Sequence, residues 1–162
     1  MTMSEVIVRL GAIEVGTRGQ VLRALGLGSC VAIILHDAEA KVGGMAHVML
    51  PAAALTRRAD KPGTSPDTAV PALVAQMTAA GASPRRLTAR LVGGASMFQN
   101  LFAPGTIQIG ERNVLATRQA LLHAGIPLVA QAVGGAVGRS VSLEVDSGRV
   151  TITTVAHGSR EL

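Results

Sequence analysis

The sequence predicts an α+β fold, and three observations predict it. Short runs rich in Val, Ile and Leu recur along the 162 residues, each closed by Gly, Pro or Asp. Two longer stretches repeat their apolar residues at helical spacing instead. Neither an internal repeat nor a linker interrupts the chain, so residues 1–162 read as one domain, the default for this length.

The elements follow in order. Val6 to Leu10 and Ala12 to Val15 read as short strands, broken by Gly11 and closed by Gly16. Cys30 to His36 (CVAIILH) is apolar and β-branched, the pattern of a buried strand. Asp37 to Lys41 has the polarity of a turn, and Val42 to Leu50 is the next extended run, stopped by Pro51. Together these predict a β-hairpin. Ala52 to Ser65 mixes charge with Pro62 and Gly63 and reads as a surface loop.

Ser65, Pro66 and Asp67 resemble a helix start, and Val70, Leu73, Val74 and Met77 recur at helical spacing before Gly81. Pro71 is tolerable only in a first turn, which predicts a start later than Pro66. Leu87 to Val92 alternates like a strand and runs into Gly93 and Gly94. A second helix is expected from Glu111 to His123, with Gly125 after its end. Ile126 to Val133 reads as a buried strand. Ser140 to Val145 and Arg149 to Val155 read as strands joined by a short turn at Asp146, Ser147 and Gly148. The tail from His157 to Leu162 is expected to fray.

Composition narrows the function classes. Hydrophobic residues make up 48% and charged residues 15%, the reverse of a disordered chain. The net charge of +5 is scattered, the densest pairs being Arg57 with Arg58 and Arg85 with Arg86, which read as solvated surface. Two Phe and no Tyr or Trp leave almost no platform on which bases could stack, so no nucleic-acid partner is expected. The longest apolar runs, Val31 to Leu35 and Ile126 to Ala130, fall far short of the roughly 20 residues of a membrane helix, so no membrane insertion is expected. The N-terminus is a poor signal peptide, and one cysteine allows no intramolecular disulfide; both fit a cytoplasmic protein. His36, His123 and His157 are widely spaced and lack metal-ligand patterning.

A lone cysteine is more often a small buried hydrophobe than a nucleophile. Its surroundings argue for reactivity here. Cys30 follows Gly26, Leu27, Gly28 and Ser29, where two glycines permit a sharp turn with uncovered N–H groups that could serve an oxyanion. His47 follows Gly43, Gly44, Met45 and Ala46 on the facing strand. If the turn is Ala38 to Lys41, Asp37 faces Val42 and Cys30 faces Met49, which puts His47 diagonal to Cys30 on one face, about 7–8 Å away at the backbone. A turn one residue longer or shorter would move His47 to the other face. Histidine is the natural base for a thiol at neutral pH. Gly93-Gly94 and Gly134-Gly135 lack the lysine of a P-loop and the full dinucleotide pattern, so they read as tight turns. Ser29 is not in the elbow pattern of a serine hydrolase and reads as support.

The blocks LGLGSCVAIILHD, VGGMAHVMLP, RLVGGASMF, IGERN and VGGAVGRSV cover nearly the whole chain in this order and resemble the CheD family. The resemblance implies mixed β-sheets packed as a sandwich with flanking helices, of the cysteine-hydrolase type seen in cytotoxic necrotizing factor. It implies a chemoreceptor glutamine deamidase without cofactor or metal. Cys30 would be the nucleophile and His47 the base, with Gly28 and Ser29 supporting the oxyanion and Gly43, Gly44, Gly93 and Gly94 shaping a substrate groove. The implied partners are the cytoplasmic helices of methyl-accepting chemotaxis receptors and a CheC-type phosphatase.

The sequence departs from the family pattern at three positions. The family commonly has Thr six residues before the cysteine, as a third catalytic group; here the residue is Ala24. Ala46 replaces a frequent Asn before the histidine, and Ala132 replaces a frequent acidic residue. The expectation is a functional Cys-His dyad that is either slower for want of the threonine or has another group orienting its histidine. The competing reading is a catalytically weakened regulator that binds receptors or the phosphatase.

Overall fold

The computed structural model describes residues 2–55, 61–98, 101 and 103–162. Arg57, Arg58 and the middle of the predicted 52–65 loop lie outside the described residues. The strands are β1 (Ser4–Ile7), β2 (Ile13–Gly16), β3 (Gln20–Leu27), β4 (Val31–Asp37), β5 (Val42–Val48), β6 (Thr88–Gly93), β7 (Leu128–Val133), β8 (Arg139–Glu144), β9 (Val150–Thr154) and β10 (Gly158–Glu161). The α-helices are α1 (Pro66–Ala79) and α2 (Ile109–Ala124).

Two five-stranded mixed sheets form, in the orders β1-β3-β8-β9-β10 and β2-β5-β4-β6-β7. The β1/β3 and β6/β7 pairs are parallel and the rest antiparallel. The sheets pack face to face through one apolar cluster: Leu22, Ala24, Val141 and Leu143 from the first meet Ala32, Ile34, Met45 and Val92 from the second. The second sheet turns its other face, with Ile33, Leu35, Ala46 and Leu91, to Val70, Leu73 and Met77 of α1 and Val114 and Leu121 of α2. β4 and β5 are therefore covered on both sides and buried along their whole length. That is why Val31 to Leu35 is apolar throughout rather than alternating.

Asp37 anchors the far end of β4. Its fully buried carboxylate accepts from Arg86, from the Ser83 N–H and from the Glu39 and Ala40 N–H groups. Although burial alone would raise it, these bonds and the Arg86 charge hold it far below the usual carboxylate range. Arg86, expected as solvated surface, is thus the partner of a buried acid. At the same end, His36 is buried and donates its Nε2–H to the Val145 carbonyl at 2.8 Å, tying the two sheets together.

Four expectations are corrected. α1 begins at Pro66 with Pro71 in its interior. The Asp67 carbonyl that loses its bond lies at an exposed residue, as does Pro71, so water can satisfy it. β3 falls in a stretch the sequence reading left without a strand, because a bulge between Ala24 and Leu27 breaks its alternation. β7 is an edge strand with Val129 exposed rather than a buried one. The tail pairs as β10 with β9, instead of fraying.

Candidate active site

The hairpin register is the one the polarity of residues 37–41 predicts. Asp37 pairs with Val42 and Val31 with Val48, which sets Ala32 opposite His47. Cys30, one residue before β4, packs against the inter-sheet cluster that holds Ala32, the face to which His47 also belongs. The structure thus brings Cys30 and His47 to one face at one end of the hairpin. Among the described residues no hydrogen bond joins them, so the thiol and the imidazole share a face without being bonded at rest.

His47 is held from above. Its Nδ1 lies 3.1 Å from the main-chain oxygen of Val8, just beyond β1. A carbonyl only accepts, so Nδ1 carries the proton and Nε2 carries the lone pair. Ala24 lies fully buried in the same cluster as Val8. The group that fixes the imidazole is thus a backbone carbonyl from the segment that follows β1, which no side-chain motif could reveal. Burial lowers the His47 pKa from its ordinary 6.5, with the Val8 bond opposing. Burial also raises the Cys30 thiol from its ordinary 9.0. Both groups are neutral at pH 7, so the geometry suits proton transfer during attack rather than a standing thiolate.

The turn before Cys30 is fastened by its carbonyls. The Gly28 oxygen accepts from the Ala95 N–H at 2.8 Å, the Cys30 oxygen from the Gly94 N–H at 2.8 Å, and the Ser29 oxygen from Asn113 Nδ2 at 2.9 Å. In a trans peptide the C=O and the following N–H point in opposite directions. The Ser29 N–H therefore points away from Ala95 and the Cys30 N–H away from Asn113, and neither has an acceptor among the described residues. Such a pair can receive a developing oxyanion.

The predicted glycines divide into two groups. Gly93 and Gly94 lie against the turn that leads into Cys30: a Cβ on Gly93 would stand 2.2 Å from the Cys30 oxygen. Gly43 and Gly44 pair with His36 and Leu35, away from Cys30, where Cβ atoms would meet Leu143 and Met77. They serve close packing of β5 between the layers. Among the described residues no group of three His, Cys, Asp or Glu side chains is arranged to hold a metal ion.

Sequence reasoning missed Asn113 and the cleft beside Ser29. Asn113 interrupts the buried stripe of α2 (Gly110, Asn113, Val114, Thr117, Leu121), and that polar break in an apolar face was the available signal. The cleft, of about 440 Å³, is lined by Ser29, Ser96, Met97, Phe98, Ile107 and Ile109 among others. Phe98 is 67% and Ile107 60% exposed, an apolar rim next to the candidate nucleophile. No helix among the described residues is long and apolar enough to cross a membrane.

Comparison with known proteins gives the same family from two directions. The model of the family described as CheD chemotactic sensory transduction matches residues 49–154. A protein of Caldanaerobacter subterraneus subsp. tengcongensis, named probable chemoreceptor glutamine deamidase CheD, is 39% identical over 158 residues, covering 96% of this chain and 98% of its own. One of the same name from Symbiobacterium thermophilum is 43% identical over 157 residues, covering 96% and 95%. The chemoreceptor glutamine deamidase CheD of Thermotoga maritima is 41% identical over 154 residues, covering 95% and 94%. These alignments, unlike the family match, are long enough to take in Cys30 and His47, and on both findings the chain belongs to the CheD family.

Proposed function

We propose that this protein is a glutamine deamidase acting on chemoreceptors, with Cys30 as nucleophile and His47 as base. The observation that carries the reading is the His47 ring: Nδ1–H is tied to Val8, so Nε2 offers its lone pair on the face that Cys30 shares. Sγ attacks the side-chain carboxamide carbon while the thiol proton moves to Nε2. The carbonyl π pair moves to oxygen, and the oxyanion is received by the N–H groups of Ser29 and Cys30. Collapse breaks the C–N bond as Nε2–H protonates nitrogen, so ammonia leaves and a thioester remains. Water then gives a proton to Nε2 and attacks the thioester. The C–S bond breaks, the thiol is restored, and the product is glutamate.

The apolar cleft at Met97, Phe98 and Ile107 supports a protein substrate, since a free amide would need no such rim. Receptor cytoplasmic helices are the substrate segments in this reading, which makes the protein cytoplasmic, with a CheC-type phosphatase as second partner. The test is mass spectrometry of a receptor cytoplasmic fragment after incubation. Wild type converts glutamine to glutamate and Cys30→Ala does not. Equal conversion by Cys30→Ala overturns the mechanism, and no conversion by wild type overturns the function.

A further inference from the structure

We propose that Asn113 is the positioning residue of the oxyanion site: its amide clamps the nucleophile turn so that the Cys30 N–H faces the substrate. The proposal rests on the assignment of Cys30 above. Asn113 is fully buried on α2. Its Nδ2 donates to the Ser29 carbonyl at 2.9 Å and to the Met49 carbonyl at 3.3 Å. The first bond fixes the Ser29–Cys30 peptide plane, and with it the direction of the Cys30 N–H. The second reaches the end of the strand that carries His47. One amide thus joins the nucleophile turn to the histidine strand.

The cost of this arrangement argues against a purely structural role. Asn113 Oδ1 is buried without a hydrogen-bond partner among the described residues. Leaving a buried oxygen unpaired is unfavourable. An apolar side chain at 113 would remove the unpaired Oδ1, but would leave the Ser29 and Met49 carbonyls without this donor. The clamp itself is well seated. Thr117 Oγ1 donates to the Asn113 carbonyl at 2.7 Å, and Gly110 and Gly94 let the first turn of α2 approach the 94–95 loop, which in turn holds Gly28 and Cys30.

The single cysteine allows a test that separates orientation of its N–H from reactivity of the thiol. Acylation of Cys30 by 4-nitrophenyl acetate passes through a tetrahedral oxyanion, whereas alkylation by iodoacetamide does not. In Asn113→Ala the acylation rate is expected to fall about ten- to a hundredfold, less than outright removal of a donor. Alkylation and its pH profile are expected to stay within about twofold of wild type, since the thiol and His47 are untouched. Receptor deamidation should lose kcat in the same proportion as acylation, with KM little changed. Asn113→Ser, which keeps a shorter donor, takes the place of Asn113→Ala if the latter does not fold, and is expected to lie between it and wild type.

Acylation and alkylation falling together, or acylation unchanged, would overturn the proposal. So would a wild-type ratio of acylation to alkylation no higher than that of free cysteine. A wild type that shows the raised ratio but converts no receptor glutamine would leave Asn113 in place and overturn the deamidase reading instead.

Discussion

The Nδ1–H of His47 donates to the main-chain carbonyl of Val8 at 3.1 Å, and this bond decides which ring nitrogen is free. A first prediction follows for the pH profile. His47 must be neutral to act as base, and burial keeps its pKa below 6.5. The deamidation rate should be flat through neutrality and fall only as pH drops through a value under 6.5. His47→Gln should lower kcat by about 10²–10⁴ and abolish that acid limb. An acid limb centred above pH 7 in the wild type would contradict the assignment.

The same burial predicts how stability depends on pH. A histidine whose folded pKa lies below its unfolded 6.5 binds fewer protons in the native state. Its contribution is present above pH 6.5 and is lost as pH falls through the folded value. Asp37 acts with the same sign in a lower window: its folded pKa lies far below 3.8, so its contribution is intact above 3.8 and is lost below it. Urea midpoints should therefore fall in two stages, and His47→Gln should remove only the first. A single stage below pH 4 that His47→Gln leaves unchanged would show that His47 does not couple to folding.

Ala24 raises the question of what a restored threonine would do. Its site is fully buried in the apolar cluster that contains Val8. The proton a threonine hydroxyl would accept from Nδ1 already has the Val8 carbonyl as acceptor. Ala24→Thr should therefore raise kcat by less than about threefold, since orientation is already provided, and should cost about 1–3 kcal/mol through overpacking. Kinetics with thermal denaturation measure both, and a tenfold gain in kcat would mean that the Val8 carbonyl orients the ring poorly.

The sequence and the structure meet most closely at the hairpin. Its register was legible because the polar turn at residues 37–41 and the side-chain period of two leave one pairing with Cys30 and His47 on the same face. The α-helices were legible from apolar spacing to within a few residues, apart from the exposed Pro71, whose lost bond water can replace. β3 was not, because a bulge shifts Leu27 out of the alternation that Leu22 and Ala24 begin. The groups that fix His47 and the Cys30 turn were hidden for a different reason. They are the carbonyl of Val8 and the amide of Asn113, 39 and 84 residues from the residues they hold. A main-chain acceptor leaves no residue type to read.

Gly93 supplies the last prediction. Its φ of +119° lies where L side chains are rare, and a Cβ there would stand 2.2 Å from the Cys30 oxygen. Gly81 has a similar φ of +109° but nothing within 4 Å of the position a Cβ would take. The pair separates backbone strain from contact with the nucleophile turn. Gly81→Ala should cost about 1–3 kcal/mol from conformation alone and leave deamidation unchanged. Gly93→Ala should cost more, because a backbone oxygen cannot rotate aside as a side chain can. It must also displace the Cys30 carbonyl from the Gly94 N–H that holds it at 2.8 Å. A shift of about 1 Å at a reacting group costs on the order of a hundredfold in rate. Gly93→Ala should therefore lose activity at temperatures where it is still folded, as judged by circular dichroism beside the deamidation assay. Equal activity in the two alanine variants would mean that the nucleophile turn adapts to the added Cβ without moving Cys30 relative to His47.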